Sequence, residues 1–437
     1  MTQAQTHRQV VAEEERDPVS RVIIASMVGT AIEFFDFYAY GTAAALYFPK
    51  VFFTSEAPVV ATMLSLLTFG VAFIARPVGS FLFGHFGDRL GRKRTLIASL
   101  LTMGISTVVI GLLPGYASIG MAAVVLLCIC RFVQGIGLGG EWSGAASVAT
   151  ENAPDDKRAR YGSFPQLGSP VGFFLSNGLF LILGSTLTPQ QMLSFGWRIP
   201  FLVSALLVVV GIISRFMLHE TPIFRAVSKL QETSRLPLID VFRLSWRQII
   251  QGTFIVAVTY TIFYTCATWS LSYGTTKLGF SYNQYLGMLL IGVVSMAVFI
   301  LVSTRLSDHF GRRRVMMISA ALVIVFAIVF PFLLTGTRNF AAILVFLIIG
   351  FGLMGTSFGP VAAVLPELFA TKVRYSGAGI SYNLAAILGA AFLPSLTTYL
   401  VSKGGVHAAG IYLGVMAIAA LISFLTMKET KDLDFTR

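Results

Sequence analysis

Twelve long apolar stretches follow one another along this chain, near 21–47, 59–84, 95–113, 119–148, 161–185, 197–218, 246–273, 283–305, 315–335, 340–365, 375–400 and 408–427. Each is long enough to cross the ~30 Å hydrocarbon core of a bilayer as a helix. Inside that core the backbone must satisfy its own hydrogen bonds, which leaves helices and closed barrels as the spanning structures. Membrane strands would be about 10 residues long with alternating polarity. These stretches are longer and do not alternate. The expected fold class is therefore an all-α membrane protein with twelve transmembrane helices.

Composition agrees: 55% of the residues are apolar and only 12% are charged, where a soluble domain carries about a quarter. The first stretch follows a charged tail (Glu13, Glu14, Glu15, Arg16, Asp17) and lacks a small-residue cleavage site, so it reads as a helix and not a cleaved signal. Cys128, Cys130 and Cys266 all lie inside apolar stretches, and their spacing fits neither a disulfide framework nor a metal site.

The net charge of +12 is unevenly placed. With both termini on one side, the polar segments of that side hold 25 of the 32 Lys and Arg, and the other side holds Lys50, Arg198, Lys277, Arg338 and Lys403. This is the positive-inside asymmetry, and it predicts cytoplasmic termini. The basic excess is a topology signal, so no nucleic-acid partner is expected. The surrounding partner is membrane lipid, in a bacterial plasma (inner) membrane.

Two short runs say the same thing twice. Gly87-Asp88-Arg89-Leu90-Gly91-Arg92-Lys93-Arg94 returns as Ser307-Asp308-His309-Phe310-Gly311-Arg312-Arg313-Arg314, and Glu151 with Arg158 returns as Glu367 with Arg374. The longest polar stretch, 219–245, divides the apolar stretches six and six. Duplicated halves with matched charged clusters on one face mark a secondary transporter. The expected organisation is a tail at 1–20, a six-helix bundle at 21–218, a linker at 219–245, a second bundle at 246–427 and a tail at 428–437.

The run from Gly87 to Arg94 resembles the signature of the major facilitator superfamily. Four further stretches resemble its metabolite:proton symporter branch: Gly29 to Tyr38 (GTAIEFFDFY), Arg76-Pro77-Val78-Gly79, Arg131 to Gly135 with Gly139-Gly140-Glu141-Trp142, and Trp197 to Phe201 (WRIPF). That branch includes carriers of shikimate, 2-oxoglutarate, citrate and proline or betaine. Tyr375 to Gly379 and the eleventh stretch look most like the shikimate-type members. The resemblance implies two pseudo-symmetric six-helix bundles. The proline/betaine carriers often extend their C-terminus into a coiled coil, and the ten residues after the last stretch are too few for one.

Five charged side chains lie well inside the stretches: Glu33, Asp36, Arg76, Arg131 and Glu141. Charges at that depth are costly, so they pair with one another or face a water-filled cavity. Glu33, Asp36 and Tyr40 share a helix face, as do Arg131, Gln134, Leu138 and Glu141. By local sequence Asp36 and Arg131 resemble the acid–arginine pair of proton-coupled sugar porters. The expectation is that Asp36 carries the proton, held ionised by Arg131 in one conformation and released to protonation in the other, with Glu33 and Glu141 as rivals. Arg76 and Arg131 are the candidates for a substrate carboxylate, because a planar guanidinium donates a forked pair of hydrogen bonds. The bland alternative is a permanent network that only locks the first bundle.

The second half has no charge in mid-span. It offers Tyr260, Tyr264 and Trp269, then Tyr382 with Asn383, as hydrogen-bonding and apolar wall residues, although packing or lipid contact accounts for each equally well. Trp269 and Tyr273 also read as interfacial aromatics. By resemblance, Asp88 with Arg92, Asp308 with Arg312, Glu151 with Arg158, and Glu367 with Arg374 form a cytoplasmic gate. The alternative, that the basic residues merely fix topology, suits Lys93, Arg94 and Arg313.

Other chemistries are set aside. Gly135-Ile136-Gly137-Leu138-Gly139-Gly140 matches a dinucleotide fingerprint but sits inside an apolar helix, not after a strand. No phosphate-binding G-x-x-x-x-G-K-[ST] run, metal-ligand spacing or nucleophile–base arrangement stands out, so no enzyme, metal or cofactor is expected. The chain reads as a monomeric symporter importing a small organic anion with a proton. The runner-up is uptake of a zwitterion such as betaine or proline. Readings of other kinds are a ligand sensor that does not transport and an outward-working exchanger.

Overall fold

The structure is a computed structural model that describes residues 19–90, 92–139, 150, 153, 155–216, 238–334, 338–369 and 373–431. It contains the twelve membrane-crossing helices. The first six are α1 (Val19–Leu46), α2 (Pro58–Leu90), α3 (Arg92–Leu112), α4 (Met121–Leu138), α5 (Arg158–Thr186) and α6 (Ile199–Phe216). In the second six, α7 runs over Leu238–Tyr264, passes a π-helical turn at Thr265–Trp269 and continues over Ser270–Thr276. Then come α8 (Tyr282–Phe310), α9 (Arg312–Leu334) and α10 (Phe340–Phe358, then Val361–Glu367). The last two are α11 (Arg374–Ala386, a π-helical turn at Ile387–Ala391, and Leu393–Gly404) and α12 (Val406–Thr426).

Packing follows the internal duplication. In the first half α1 lies on α5, α2 on α4, and α3 on α6; in the second α7 lies on α11, α8 on α10, and α9 on α12. Between halves the main contacts are α5 with α8 and α2 with α11. Advancing every helix by six exchanges those two contacts, so a pseudo-two-fold axis relates the bundles. Because an even number of crossings returns the chain to its starting side, both ends share one face, called here the terminal face.

Small residues allow the close crossings. A Cβ on Gly135 would sit 2.2 Å from the Ala72 carbonyl oxygen, and one on Gly79 would sit 2.0 Å from that of Ile136. These positions let α2 and α4 touch backbone to backbone. Gly311, at φ +96, makes the reversal between α8 and α9 in the left-handed region.

Some boundaries differ from expectation. α2 continues to Leu90, beyond the apolar stretch, although its last turns carry Gly84 and Gly87. Most of the expected linker lies outside the described residues, but its last part is helical from Leu238, with a break at Ser245 (φ −132, ψ 24). Trp269 is 1% exposed and packs on Tyr273 (5.2 Å), so it is a packing residue and not an interfacial anchor.

Candidate functional site

Four of the five intramembrane charges are described, and all four are buried: Glu33, Asp36, Arg76 and Arg131. Glu141 lies outside the described residues. The four resolve into two clusters, both built chiefly on α1, whose helical spacing turns Glu33 toward α2 and Asp36 toward α3.

In the first cluster the Arg76 guanidinium donates from Nη2 to Glu33 Oε1 at 2.8 Å. Its Nη1 donates to the Tyr260 hydroxyl of the second bundle at a long 3.4 Å. Tyr260 stacks on Tyr264 (6.2 Å) and meets Tyr382 edge-on (5.5 Å). The expected wall residues Tyr260, Tyr264 and Tyr382 therefore come together, across the bundle interface from Arg76.

The second cluster lies entirely within the first bundle. Thr107 donates to Asp36 Oδ2 at 2.9 Å and accepts from Gln134 Nε2 at 2.7 Å. Gln134 Oε1 in turn accepts from Arg131 Nη1, and Arg131 Nη2 donates to the Phe69 carbonyl at 3.1 Å. The expected Asp36–Arg131 coupling is thus a relay through Gln134 and Thr107, without a direct ion pair. Tyr40 belongs here: its ring lies 3.7 Å from Arg131 Cζ, and its hydroxyl bonds Thr68 at 2.6 Å.

Phe37 joins the clusters. The Cζ atoms of Arg76 and Arg131 lie 4.9 Å and 5.0 Å from its ring centroid. Such contacts are worth ~0.5–2 kcal/mol each, and they hold two buried cations near each other without a bridging anion. Sequence reading missed Phe37 and Thr107. An aromatic one residue from an acid, and a threonine in an apolar helix, carry no signal until the helices are placed.

The bundles meet over their whole depth among the described residues. In mid-membrane Tyr38 packs on Phe263 (5.0 Å) and Phe69 on Tyr264 (5.1 Å). Toward the opposite face Asn283 donates to the Gly184 carbonyl (2.8 Å) and Ser395 to the Met63 carbonyl (2.9 Å). Toward the terminal face Gln166 donates to the Phe358 carbonyl (2.8 Å), and Asn383 donates to Ser80 (2.8 Å). Among the described residues the bundles thus touch on both sides of the buried charges. Asn383 serves as a bundle-to-bundle contact, beside Tyr382 in the chain and bonded to Ser80.

On the terminal face Asp308 accepts from the backbone N–H of Ala159 (3.0 Å) and of Arg160 (2.9 Å). An acid of the second bundle thus caps the N-terminus of α5 in the first, where exposed donors and the helix dipole favour negative charge. Arg312 bridges Asp308 (3.1 Å) and Glu367 (3.4 Å) on its own side. Glu367 also feels the positive charge of Arg158 from the other bundle. Arg158 and Arg374 are both buried. Asp88 and Arg92 have side chains outside the described residues, as has Glu151. Glu429, which composition gave no reason to single out, accepts from the N–H groups of Arg312 (2.8 Å) and Arg313 (3.1 Å) and caps α9.

Two six-helix bundles packed around buried charges, with a charged cluster where they meet on one face, are the architecture of a membrane transporter. The comparisons with known proteins agree: residues 26–386 match the Major Facilitator Superfamily, and the chain belongs to that family. It is 51% identical to the inner membrane metabolite transport protein YhjE of Escherichia coli (strain K12), over 96% of this chain and 97% of that one. It is 35% identical to the shikimate transporter of the same organism (94% and 95% covered). The proline/betaine transporter of Salmonella typhimurium (strain LT2) is 34% identical (94% and 84% covered). Among solved structures, a crystal structure of a D-xylose-proton symporter superposes with a TM-score of 0.75 at 18% identity, covering 95% of this chain and 99% of that one. That likeness carries the fold.

Proposed function

We propose that this protein imports a small organic acid together with a proton across a bacterial inner membrane, its termini in the cytoplasm, by alternating access between the two bundles. The observation that carries the reading is the pair of buried ionic clusters at the centre of the fold: an acid linked to an arginine inside one bundle, and a second arginine facing tyrosines of the other. Charges so deep are retained where they handle ions or charged substrates. The relatives' names include both a shikimate and a proline/betaine transporter, so substrate class is the open choice. A carboxylate is favoured because two buried guanidiniums, Arg76 and Arg131, lie at the centre of the fold; the tyrosine wall by itself suits a quaternary ammonium group as well.

In this reading Asp36 is the proton carrier. The relay through Thr107 and Gln134 stabilises its ionised form while Arg131 is in place, and a shift of α1, α3 or α4 within the first bundle breaks that relay. Arg76 and Arg131 are the cationic groups, with Gln134, Tyr40, Tyr260, Tyr264, Tyr382 and Asn383 around them. The terminal-face residues Asp308, Arg312, Glu367, Arg158 and Arg374, with Asp88, Arg92 and Glu151 by the repeat, hold that face shut. The test is uptake into proteoliposomes of labelled shikimate, 2-oxoglutarate, citrate, glycine betaine and proline, with an inward proton gradient imposed or absent. Gradient-driven accumulation of a carboxylate is expected. Accumulation of only the zwitterions would reverse the substrate assignment.

A further inference from the structure

The relay to Asp36 ends in a hydroxyl with more acceptors than hydrogens. Arg131 can only donate, so its bond to Gln134 Oε1 turns the amide nitrogen of Gln134 toward Thr107, where it donates at 2.7 Å. Thr107 has one hydrogen to give and two oxygens in reach: Asp36 Oδ2 at 2.9 Å and the Met103 carbonyl of its own helix at 3.0 Å. A carboxylate is the stronger acceptor. The hydrogen therefore points to Asp36 while that group is ionised, whereas a neutral acid and the Met103 carbonyl compete on similar terms. A second hydroxyl stands by. Ser204 of α6 lies beside Asp36, and α6 packs on both α1 and α3. Both residues are fully buried, yet Asp36 Oδ1 and Ser204 Oγ have no hydrogen-bond partner. Idle polar atoms in an apolar interior are costly, so Ser204 makes no bond in the arrangement where Thr107 serves the carboxylate.

Resting on the reading of Asp36 as the proton carrier, we propose that Thr107 and Ser204 are its two positioning residues, one for each protonation state. The proton lands on Oδ1, because Oδ2 already faces a donor. The new O–H donates to Ser204 Oγ, and the Thr107 hydrogen turns back to the Met103 carbonyl. The step balances: one proton is taken from solution, one O–H bond forms, none breaks, and the carboxyl loses its charge. Gln134 donates to Thr107 in both forms, so the exchange needs no movement of Arg131. Few other groups can answer to pH here. From α4 Asp36 faces Arg131, with Cys128 and Cys130 further up that helix. The stretches 96–112 of α3, 162–186 of α5 and 199–214 of α6 hold no titratable residue. On α1 itself are Glu33, Tyr38 and Tyr40; α2 brings Arg76, bonded to Glu33, and α7 brings Tyr260 and Tyr264.

Infrared difference spectroscopy of the purified full-length protein in detergent tests this, following the protonated-carboxyl band that Asp36→Asn removes as pH is varied. Thr107→Val deletes the bond to the ionised form, and its titration midpoint should move up by about one pH unit. Ser204→Ala deletes the bond to the neutral form, and its midpoint should move down by about one unit. The carbonyl stretch of the protonated acid should rise in frequency in Ser204→Ala and stay near the wild type in Thr107→Val, a signature that loosened packing would not produce in one variant alone. Thr107→Ser, which keeps the hydroxyl, should restore the wild-type midpoint. Should the first two variants not fold, Thr107→Ala and Ser204→Cys take their places with the same expected directions. Midpoints that move the same way, a Thr107→Ser midpoint that stays with Thr107→Val, or a band in Ser204→Ala unchanged in both midpoint and frequency overturns this inference and leaves Asp36 as the proton carrier. If Asp36→Asn removes no titrating carboxyl band, Asp36 is not the carrier, and that reading falls together with this one.

Discussion

Replacing Asp308 by Asn isolates the charge at the bundle-to-bundle cap while keeping its shape. The carboxylate accepts two backbone N–H groups from α5, at 3.0 Å and 2.9 Å. A hydrogen bond to a charged group is worth ~1.5–3 kcal/mol and a neutral one ~0.5–1.5, so each loses about 1–1.5 kcal/mol. Together they weaken closure of the terminal face by roughly 2–3 kcal/mol. The Asp308 side chain is 11% exposed, so solvent screening takes little away. Arg312 is not stranded, because Glu367 still holds it at 3.4 Å. With 1.4 kcal/mol per factor of ten, the closed-to-open ratio should fall by about 30- to 150-fold. Ser163 reports this: it is fully buried, on the face of α5 that carries Ala159, Gly162 and Gln166. In a background with Cys128, Cys130 and Cys266 replaced, the labelling rate of Ser163→Cys by a maleimide should rise by that factor when Asp308→Asn is added. A rate unchanged within twofold, in protein that still melts cooperatively, would refute the capping argument.

Arg131→Lys keeps the charge, but one ammonium cannot serve Gln134 and the Phe69 carbonyl while lying flat on Tyr40. A loss of about 2–4 kcal/mol is expected in the ordering of the relay, read as at least a tenfold drop in proton-driven uptake; unchanged kinetics would make the residue a passive filler. Gly135→Ala places a methyl group 2.2 Å from the Ala72 carbonyl oxygen, so α2 and α4 must part. Destabilisation of about 1–3 kcal/mol follows, measured as a lower melting temperature in detergent, and an unaltered melting point would contradict the packing. Asn283→Ala removes the donor to Gly184 on the opposite face and should favour opening there by about 1 kcal/mol, seen as faster labelling from that side; slower labelling would reverse the assignment.

Length and hydropathy alone locate the membrane crossings, because a helix in lipid must be both long and apolar. The duplicated Asp-x-x-Gly-Arg runs at Asp88 and Asp308 reveal the two halves, and the rarity of charge in the membrane exposes Glu33, Asp36, Arg76 and Arg131. What stayed hidden depends on which helices become neighbours. Thr107 looks like any threonine in an apolar span until α3 is laid against α1 and α4. Phe37 is one of 37 phenylalanines, and only its place beside two guanidiniums sets it apart. Glu429 sits in a short tail whose reach to the start of α9 no periodicity encodes. The π-helical turns at Thr265 and Ile387 likewise arise from packing and not from a residue pattern.

The claim that organic-anion entry and proton entry are one event is tested most directly by trapping a pH-sensitive dye inside proteoliposomes at equal internal and external pH. Adding external shikimate, or whichever carboxylate the uptake panel selects, should acidify the lumen at a rate proportional to uptake, and Asp36→Asn should slow that acidification at least tenfold. Uptake of the anion with no change in internal pH would contradict proton-coupled transport.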